Sequence, residues 1–94
     1  MKFSWDEKKA KSNLIKHQVS FEEAKRVFWD ESARLIEDPD HSQYEDRFLI
    51  IGMSVKFRIL TVVHCYREND EVIRIISARK ATKREVKQYK EFLL

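Results

Sequence analysis

Apolar and polar positions along the chain predict helices at both ends and strands in the middle. Residues 3–5 alternate with a period of two, which predicts a short first strand. Asp6 is a residue type that caps helices. The helix that it opens runs to about His17, with Ala10, Leu14 and His17 on one stripe.

A second helical segment follows directly. Ser20 and Glu23 have the spacing of a capping box, and Val19 and Ala24 form the apolar pair expected around it. This helix runs to about Trp29. Its predicted buried residues are Phe21, Ala24, Val27 and Phe28.

Four apolar, β-branched segments then predict strands, at residues 33–37, 48–54, 58–67 and 72–79. The segment Asp38-Pro39-Asp40 ends the first of them, because proline cannot extend a ladder. Residues 68–71 form a hairpin turn with Asn69 and Asp70 at its centre. The strand at 72–79 is nearly continuous in aliphatic residues, which favours a central position.

Thr82 and Glu85 form a second capping box, which opens a helix to about Leu93. Its inward positions are Val86, Tyr89 and Leu93, and its outer face carries Lys83, Lys87 and Lys90. The chain therefore predicts an α+β fold, with two N-terminal helices, an antiparallel sheet of three to five strands and a C-terminal helix.

Composition limits the function classes. The chain has 94 residues, 43% of them hydrophobic, which suits a single domain spanning residues 1–94. One glycine and one cysteine exclude Gly-rich phosphate loops, internal disulfides and multi-cysteine zinc sites. Charged residues at positions 6–8 do not fit a signal peptide, and no apolar run is long enough to cross a membrane. We expect a cytoplasmic protein.

Charge is distributed unevenly along the chain. Residues 1–50 carry 9 Lys and Arg against 11 Asp and Glu, for a net −2, and residues 51–94 carry 10 against 5, for a net +5. From Arg74 to Lys90 there are seven basic residues and one acid, Glu85. This pattern predicts an anionic partner, either a nucleic acid or an acidic protein, although a solvated helix face remains the alternative.

The last hairpin carries polar residues in otherwise aliphatic strands. With a symmetric turn, His64 lies opposite Ile75 and Cys65 opposite Arg74. Alternation then places four residues on one face: His64, Tyr66, Ser77 and Arg79. A one-residue bulge would change these partners.

His64 is suited to proton transfer because imidazole titrates near neutral pH. The alternative is a core histidine that is hydrogen-bonded to a backbone carbonyl. Cys65 points to the opposite face, and we expect a small buried side chain there. His17 lies at a helix end, where a cation is favourable without a function. His41 lies in an acidic loop without recognisable ligand spacing, so no metal site is predicted.

Arg79 and Lys80 end the last strand just before Thr82 caps the helix. This junction is the best phosphate site in the chain, because first-turn N–H groups also favour an anion. In the alternative interpretation, Arg79 binds the acidic loop at 38–40. Tyr89 either projects its hydroxyl over the sheet or is a core tyrosine. Trp5 and Trp29 follow the helical packing pattern and are interpreted as anchors of the core.

Several motifs resemble the BrnT toxin family over residues 3–92. The N-terminal part reads Trp5-Asp6-x-x-Lys9-Ala10-x-x-Asn13-x-x-Lys16-His17, then Val19-Ser20-Phe21-x-Glu23-Ala24. The C-terminal part reads Arg47-x-x-x-Ile51-Gly52, His64-x-Tyr66-Arg67 and Arg74-Ile75-Ile76-Ser77-Ala78-Arg79-x-Ala81-x-x-x-Glu85-x-x-x-Tyr89. Gln18 departs from the glycine usual in the family, which implies strain or a different turn there.

The resemblance implies a RelE-like fold and a bacterial type II toxin–antitoxin system. It implies a ribonuclease that arrests translation and needs no metal or other cofactor. It also implies a ribbon-helix-helix antitoxin, BrnA, which neutralises the toxin in a hetero-oligomer that binds operator DNA.

Metal-free RNA cleavage needs proton transfer and a cation on the phosphorane oxygens. His64 is the candidate acid or base, and Arg79 is the candidate cation that stabilises the transition-state charge. Lys80 is a candidate phosphate ligand or proton shuttle, and Tyr89 is a candidate positioning group. The candidates for holding RNA backbone are Arg67, Arg74, Lys83, Arg84 and Lys87. Two alternatives remain: a catalytically inactive module that binds nucleic acid or antitoxin in operon autoregulation, and an interaction domain whose acidic partner covers Lys83, Lys87 and Lys90.

Overall fold

The computed structural model describes residues 1–38, 46–91 and 93. The strands there are β1 (Lys2–Ser4), β2 (Arg34–Glu37), β3 (Phe48–Met53), β4 (Ile59–Arg67) and β5 (Val72–Lys80). The helices are α1 (Glu7–His17), α2 (Phe21–Arg26), which continues as a 3₁₀ turn (Val27–Trp29), and α3 (Lys83–Lys90). None of these helices is long and apolar enough to cross a membrane.

The strands form one sheet in the order β1-β5-β4-β3-β2. The β2–β3, β3–β4 and β4–β5 pairs are antiparallel, as predicted. The prediction of a wholly antiparallel sheet is wrong at one edge, because β1 pairs in parallel with the start of β5. β4 is the middle strand of the five. β5 lies between β1 and β4, which confirms its predicted interior position.

The predicted helix caps are present with one change. The Asp6 carboxylate accepts the N–H groups of Lys8 and Lys9, and Thr82 and Glu85 form a complete capping box. At α2, the Ser20 hydroxyl accepts the Glu23 N–H, but the Glu23 side chain does not return to the cap. It instead accepts hydrogen bonds from Ser54 and Arg58, so this capping box is only half formed.

The Glu23 carboxylate joins α2 to the turn between β3 and β4. It is 4% exposed and forms an ion pair with Arg58, whose guanidinium also donates to the Gln18 carbonyl at 3.0 Å. Burial alone would raise the pKa of Glu23, but the hydrogen bonds from Arg58 and Ser54 outweigh burial and lower it. Sequence reasoning missed this pair.

The junction of α1 and α2 explains the departure from glycine at position 18. Gln18 ends α1 with φ 57° and ψ 34°, in the left-handed region. The backbone therefore keeps the conformation that favours glycine, and a glutamine adopts it at a cost of about 1 kcal/mol. The strain expected from the sequence is present.

The sheet is covered on both sides. On the first side, which we call the α1–α2 face, Phe21, Ala24 and Val27 pack with core residues of β4 and β5. Gly52 allows this close packing, because a Cβ there would lie 2.8 Å from the Val27 side chain. The second side, which we call the α3 face, carries Thr61 in contact with α3.

Two side chains that were predicted to lie in the core, Trp29 and Leu93, are about half exposed. The Trp29 ring is 53% exposed, packs beside the Phe3 ring and has the Arg26 guanidinium 5.6 Å from its centroid. Trp29 is therefore not an anchor of the core. Leu93 lies beyond α3, which ends at Lys90, and it is 49% exposed rather than inward. Trp5 does contact the core through the Phe21 ring.

Candidate active site

The register of β4 and β5 decides which candidate residues share a face. His64 lies opposite Ile75 and Cys65 opposite Arg74, as a symmetric turn predicts. The tight turn between β4 and β5 is formed by three residues with positive φ, Glu68, Asn69 and Asp70. Beyond the turn the register shifts between Val63 and His64, so that Ile76 is an extra residue on β5.

This bulge places His64 and Arg79 on opposite faces, so the predicted grouping of His64, Tyr66, Ser77 and Arg79 is wrong. Past the bulge, Arg79 pairs with Thr61 and Ser77 with Val63. Because side chains alternate along β4, odd-numbered Thr61 and Val63 face away from His64. The two proposed catalytic groups are therefore separated by the sheet.

His64 has no exposed surface and lies in an aromatic cluster on the α1–α2 face. The neighbouring rings are Phe28, Phe48 and Tyr66, with ring centroids 4.8–6.1 Å away. Its Nδ1–H donates to the Val62 carbonyl at 3.2 Å, which leaves Nε2 to accept from the Tyr66 hydroxyl at 3.2 Å. Burial lowers the pKa of His64 to about 4, so it is neutral at physiological pH.

Arg79 forms a bidentate ion pair with Glu85 on the α3 face. Its Nη1 and Nη2 donate to the two Glu85 oxygens at 2.7 and 3.0 Å. Glu85 also accepts from the Thr61 hydroxyl and the Thr82 N–H. Burial would raise the pKa of Glu85, but the hydrogen bonds from Arg79, Thr82 and Thr61 outweigh it and lower that pKa to about 2.

The ion pair with Glu85 uses one edge of the Arg79 guanidinium. Glu85 occupies the edge formed by Nη1 and Nη2, and Nη1 also reaches the Lys80 carbonyl at 3.4 Å. Among the residues that the structure describes, no acceptor bonds the Nε–H of Arg79. The side chain is 35% exposed, and the edge of Nε and Nη2 has the donor geometry that matches an anion such as phosphate. The hydrogen bond and charge of Glu85 raise the pKa of Arg79, and the Asp38 charge adds a smaller contribution. The rest of the alternative partner, the loop at 38–40, lies outside the described residues.

Tyr89 is buried beneath α3 and has a defined partner. Its hydroxyl donates to the Asp30 carboxylate at 2.6 Å, and the Met53 N–H donates to the same oxygen at 2.7 Å. Burial and this hydrogen bond raise the pKa of Tyr89 to about 12. The hydroxyl thus fixes α3 against the sheet. Asp30 was not singled out by sequence reasoning, because its role arises from a contact 59 residues away.

The remaining basic candidates fall into two groups. Lys83, Arg84 and Lys87 are exposed on α3, beside the Arg79–Glu85 pair in the chain. Arg67 and Arg74 line shared cavities near the β4–β5 turn, and Arg74 donates to the Ser4 hydroxyl at 3.4 Å. Lys80 is exposed at the end of β5 and alternates to the α1–α2 face.

Neither the cysteine nor a metal-binding cluster forms part of the candidate site within the described residues. Cys65 is 2% exposed, which confirms the prediction of a small buried side chain. Within residues 1–38, 46–91 and 93, no three His, Cys, Asp or Glu side chains come together to hold a metal ion. The loop histidine His41 lies outside these ranges.

Comparison with protein families matches residues 5–85 to the model of the ribonuclease toxin BrnT of type II toxin–antitoxin systems. This match covers most of the chain. The chain belongs to the BrnT toxin family. The resemblance predicted from the sequence motifs is therefore confirmed.

A solved structure supports the same family and the α+β fold. The Brucella abortus ribonuclease toxin BrnT is 27% identical, with a TM-score of 0.65 over 88% of this chain and 99% of that one. The predicted two N-terminal helices, sheet and C-terminal helix agree with this BrnT fold. The comparison with curated proteins found no match.

Proposed function

We propose that this BrnT family member is a metal-independent endoribonuclease that inhibits translation. In the proposed reaction the ribose 2′-hydroxyl attacks the adjacent phosphorus and gives its proton to solvent water. The bond to the 5′-oxygen breaks, and that oxygen takes a proton from solvent water, which leaves a cyclic phosphate and a free 5′-hydroxyl. The observation that carries the proposal is the orientation of Arg79: Glu85 binds its Nη1 and Nη2, while its Nε–H bonds no acceptor among the residues that the structure describes.

Arg79 is the proposed catalytic cation. Its Nε–H and an Nη2–H match two oxygens of the phosphorane, whose negative charge develops in the transition state. Glu85 is the positioning residue. Its pKa of about 2 makes it too weak a base to accept the 2′ proton, and the carboxylate instead fixes the orientation of Arg79.

The other candidates take supporting roles in this proposal. Lys80 is exposed at the end of β5 on the face opposite to Arg79, so it is assigned to binding a neighbouring phosphate of the substrate. Tyr89 positions α3 through Asp30 rather than exchanging protons. His64 has no exposed surface and faces away from Arg79, so we assign it to packing of the core. The backbone ligands are proposed to be Arg67, Arg74, Lys83, Arg84 and Lys87.

Family membership also supports the proposed partners. The chain would act in the cytoplasm, where a BrnA-like ribbon-helix-helix antitoxin neutralises it in a hetero-oligomer that binds operator DNA. The basic C-terminal half, with its net charge of +5, offers the surface for either RNA or an acidic antitoxin segment.

Cleavage assays with purified protein test the mechanism. We expect RNA to be cut in the presence of EDTA, and a single 2′-deoxyribose at the cut site to block cleavage there.

Arg79→Lys keeps the charge but loses the planar donor pair, so we expect kcat to fall about 100-fold or more. Lys11→Ala, on an exposed position of α1, is the control. Cleavage that requires Mg²⁺ and tolerates the 2′-deoxy substitution would contradict the mechanism.

A second candidate function is a catalytically inactive module that binds nucleic acid or antitoxin in operon autoregulation. Two observations favour it: Glu85 already neutralises Arg79, and His64 is buried. This candidate predicts salt-sensitive binding of RNA without turnover. Induced expression in cells, with and without the antitoxin, separates the two, because only the nuclease arrests growth.

A further inference from the structure

A groove runs from the paired β1 and β5 strands to the part of the β5 edge that β1 leaves free. β1 pairs with this edge only as far as Arg74, and α1 packs beside β5. Three neighbouring cavities of about 580, 110 and 190 Å³ lie along this path. The first two share Arg67 and Arg74, and the last two share Lys9 and Ile76, so together they form one groove.

Cations line this groove from end to end. Its basic residues are Lys2, Lys9, Lys16, Arg67 and Arg74. Its acidic residues are Asp6 and Glu68, and the Asp6 carboxylate already accepts two backbone N–H groups as the cap of α1. The groove is therefore strongly positive, although the N-terminal half of the chain is acidic overall.

Helix geometry places the two α1 lysines in the groove. Lys9, Ser12, Asn13 and Lys16 have the spacing i, i+3, i+4 and i+7, which forms one stripe. Lys9 and Lys16 lie about 10 Å apart along the helix axis. Lys8 and Lys11 lie on the same helix outside this stripe, and they do not line the groove.

Asn13, which lines the groove, is hydrogen-bonded to the edge of β5. The Asn13 amide donates to the Ala78 carbonyl at 2.8 Å, and its oxygen accepts the Ala78 N–H at 3.1 Å. The groove also leads toward the candidate active site. Ser77 lines its α1 end and lies two residues before Arg79, and both residues are on the α3 face.

We propose that this groove binds the backbone of single-stranded RNA beside the phosphate held at Arg79, with Lys9 and Lys16 as phosphate ligands. This inference rests on the proposed ribonuclease function and adds a binding surface to it. Half of the lining residues are cations or hydroxyls, which contact phosphate and ribose without reading bases. The main part of the binding free energy would then be electrostatic and independent of base sequence.

The test compares two matched double variants of α1. Lys9→Ala/Lys16→Ala removes two cations from the groove, and Lys8→Ala/Lys11→Ala removes two from the same helix outside it. With a long single-stranded RNA, we expect the groove variant to raise KM about tenfold at unchanged kcat and to reduce the salt slope of log Kd by about 1.4. We expect the control variant to match the wild type in both measurements. A dinucleotide substrate, too short to enter the groove, should not distinguish the two variants.

Three outcomes would overturn the inference. Equal effects of the two double variants would show a non-specific charge effect, and unchanged RNA affinity of the groove variant would show that RNA does not bind there. Loss of antitoxin binding at unchanged RNA affinity would assign the groove to an acidic peptide instead. The wild type tests the nuclease proposal separately: RNA that is bound through the groove but not cleaved supports the groove and contradicts the nuclease.

Discussion

The position of His64 shows how burial changes the chemistry of a single residue. Its ring is surrounded by Phe28, Phe48 and Tyr66, and both ring nitrogens are hydrogen-bonded when the ring is neutral. Protonation would place a charge in an apolar environment, which is why its pKa falls to about 4. The residue with the most suitable intrinsic pKa for catalysis is thus used as a packing group.

This arrangement predicts acid sensitivity of the fold. Above pH 6.5 the ring is neutral in both states, and below that pH the unfolded chain binds the proton more readily. Stability linked to His64 is therefore lost as pH falls from about 6.5 toward 4, by about 2 kcal/mol between pH 7 and pH 4.5. Urea unfolding at a series of pH values measures this loss.

The variant His64→Gln supplies the comparison. It should show a flatter pH dependence than the wild type in this window, whatever its absolute stability, because it no longer titrates. His17→Gln, which removes a histidine from the end of α1, is the matched control. An unchanged pH dependence in His64→Gln would assign the acid sensitivity to other groups. Cleavage activity at pH 7 should persist in the folded variant, in keeping with a packing role.

At the scale of elements, the extra residue Ile76 determines the arrangement of the candidate site. The turn chemistry of Asn69 and Asp70 was sufficient to predict the pairing of His64 with Ile75. No local pattern marked the bulge, because Ile76 continues an aliphatic run that reads equally well as a regular strand. Local capping and turn signals therefore predicted the elements, while the face of Arg79 depended on a non-local pairing.

The same reasoning applies to β1 and to Glu23. The pairing of Phe3 with Ile73 joins the two halves of the chain, and a three-residue strand carries no signal for its partner or direction. Glu23 had the spacing of a capping box, but the buried approach of Arg58 offered its carboxylate a stronger, charge-assisted partner. Contacts distant in sequence therefore overrode the local preference.

The Asn13 side chain attaches helix α1 to the edge of β5, which gives a prediction at the scale of elements. Asn13 bonds both backbone groups of Ala78, and its amide also reaches the Val19 carbonyl at 2.9 Å. Asn13→Ala would leave these buried backbone groups without partners, and we expect a loss of about 2–4 kcal/mol. Thermal or urea unfolding measures it, with Lys11→Ala on the same helix as the control.

Hydrogen exchange locates the effect of this variant. Faster exchange confined to α1 and the outer edge of β5 would show that the attachment of the helix has been weakened. A loss of stability below about 0.5 kcal/mol would contradict the attachment role of Asn13. The acid variant Asn13→Asp should not restore stability, because a carboxylate cannot donate to the Ala78 and Val19 carbonyls.

At the scale of the whole molecule, two groups of basic residues flank Arg79 in the fold, and we call each group an arm. The groove beside α1 forms one arm, and the exposed cations of α3 form the other. Two acidic residues of the N-terminal half serve in local structure, Asp6 as the cap of α1 and Glu23 as the buried partner of Arg58. The small net charge of +3 therefore conceals two basic surfaces, the groove beside α1 and the exposed face of α3.

The α3 arm predicts a specific salt dependence of RNA binding. Each phosphate contact on a single strand contributes about 0.7 to the slope of log Kd against log salt concentration. The triple variant Lys83→Ala/Arg84→Ala/Lys87→Ala should therefore lower that slope by about 2 if all three cations contact phosphate. The triple variant Lys8→Ala/Lys11→Ala/Lys25→Ala removes the same charge elsewhere and should leave the slope unchanged. If both triple variants lowered the slope equally, RNA would respond to net charge alone, and α3 would have no specific role in its binding.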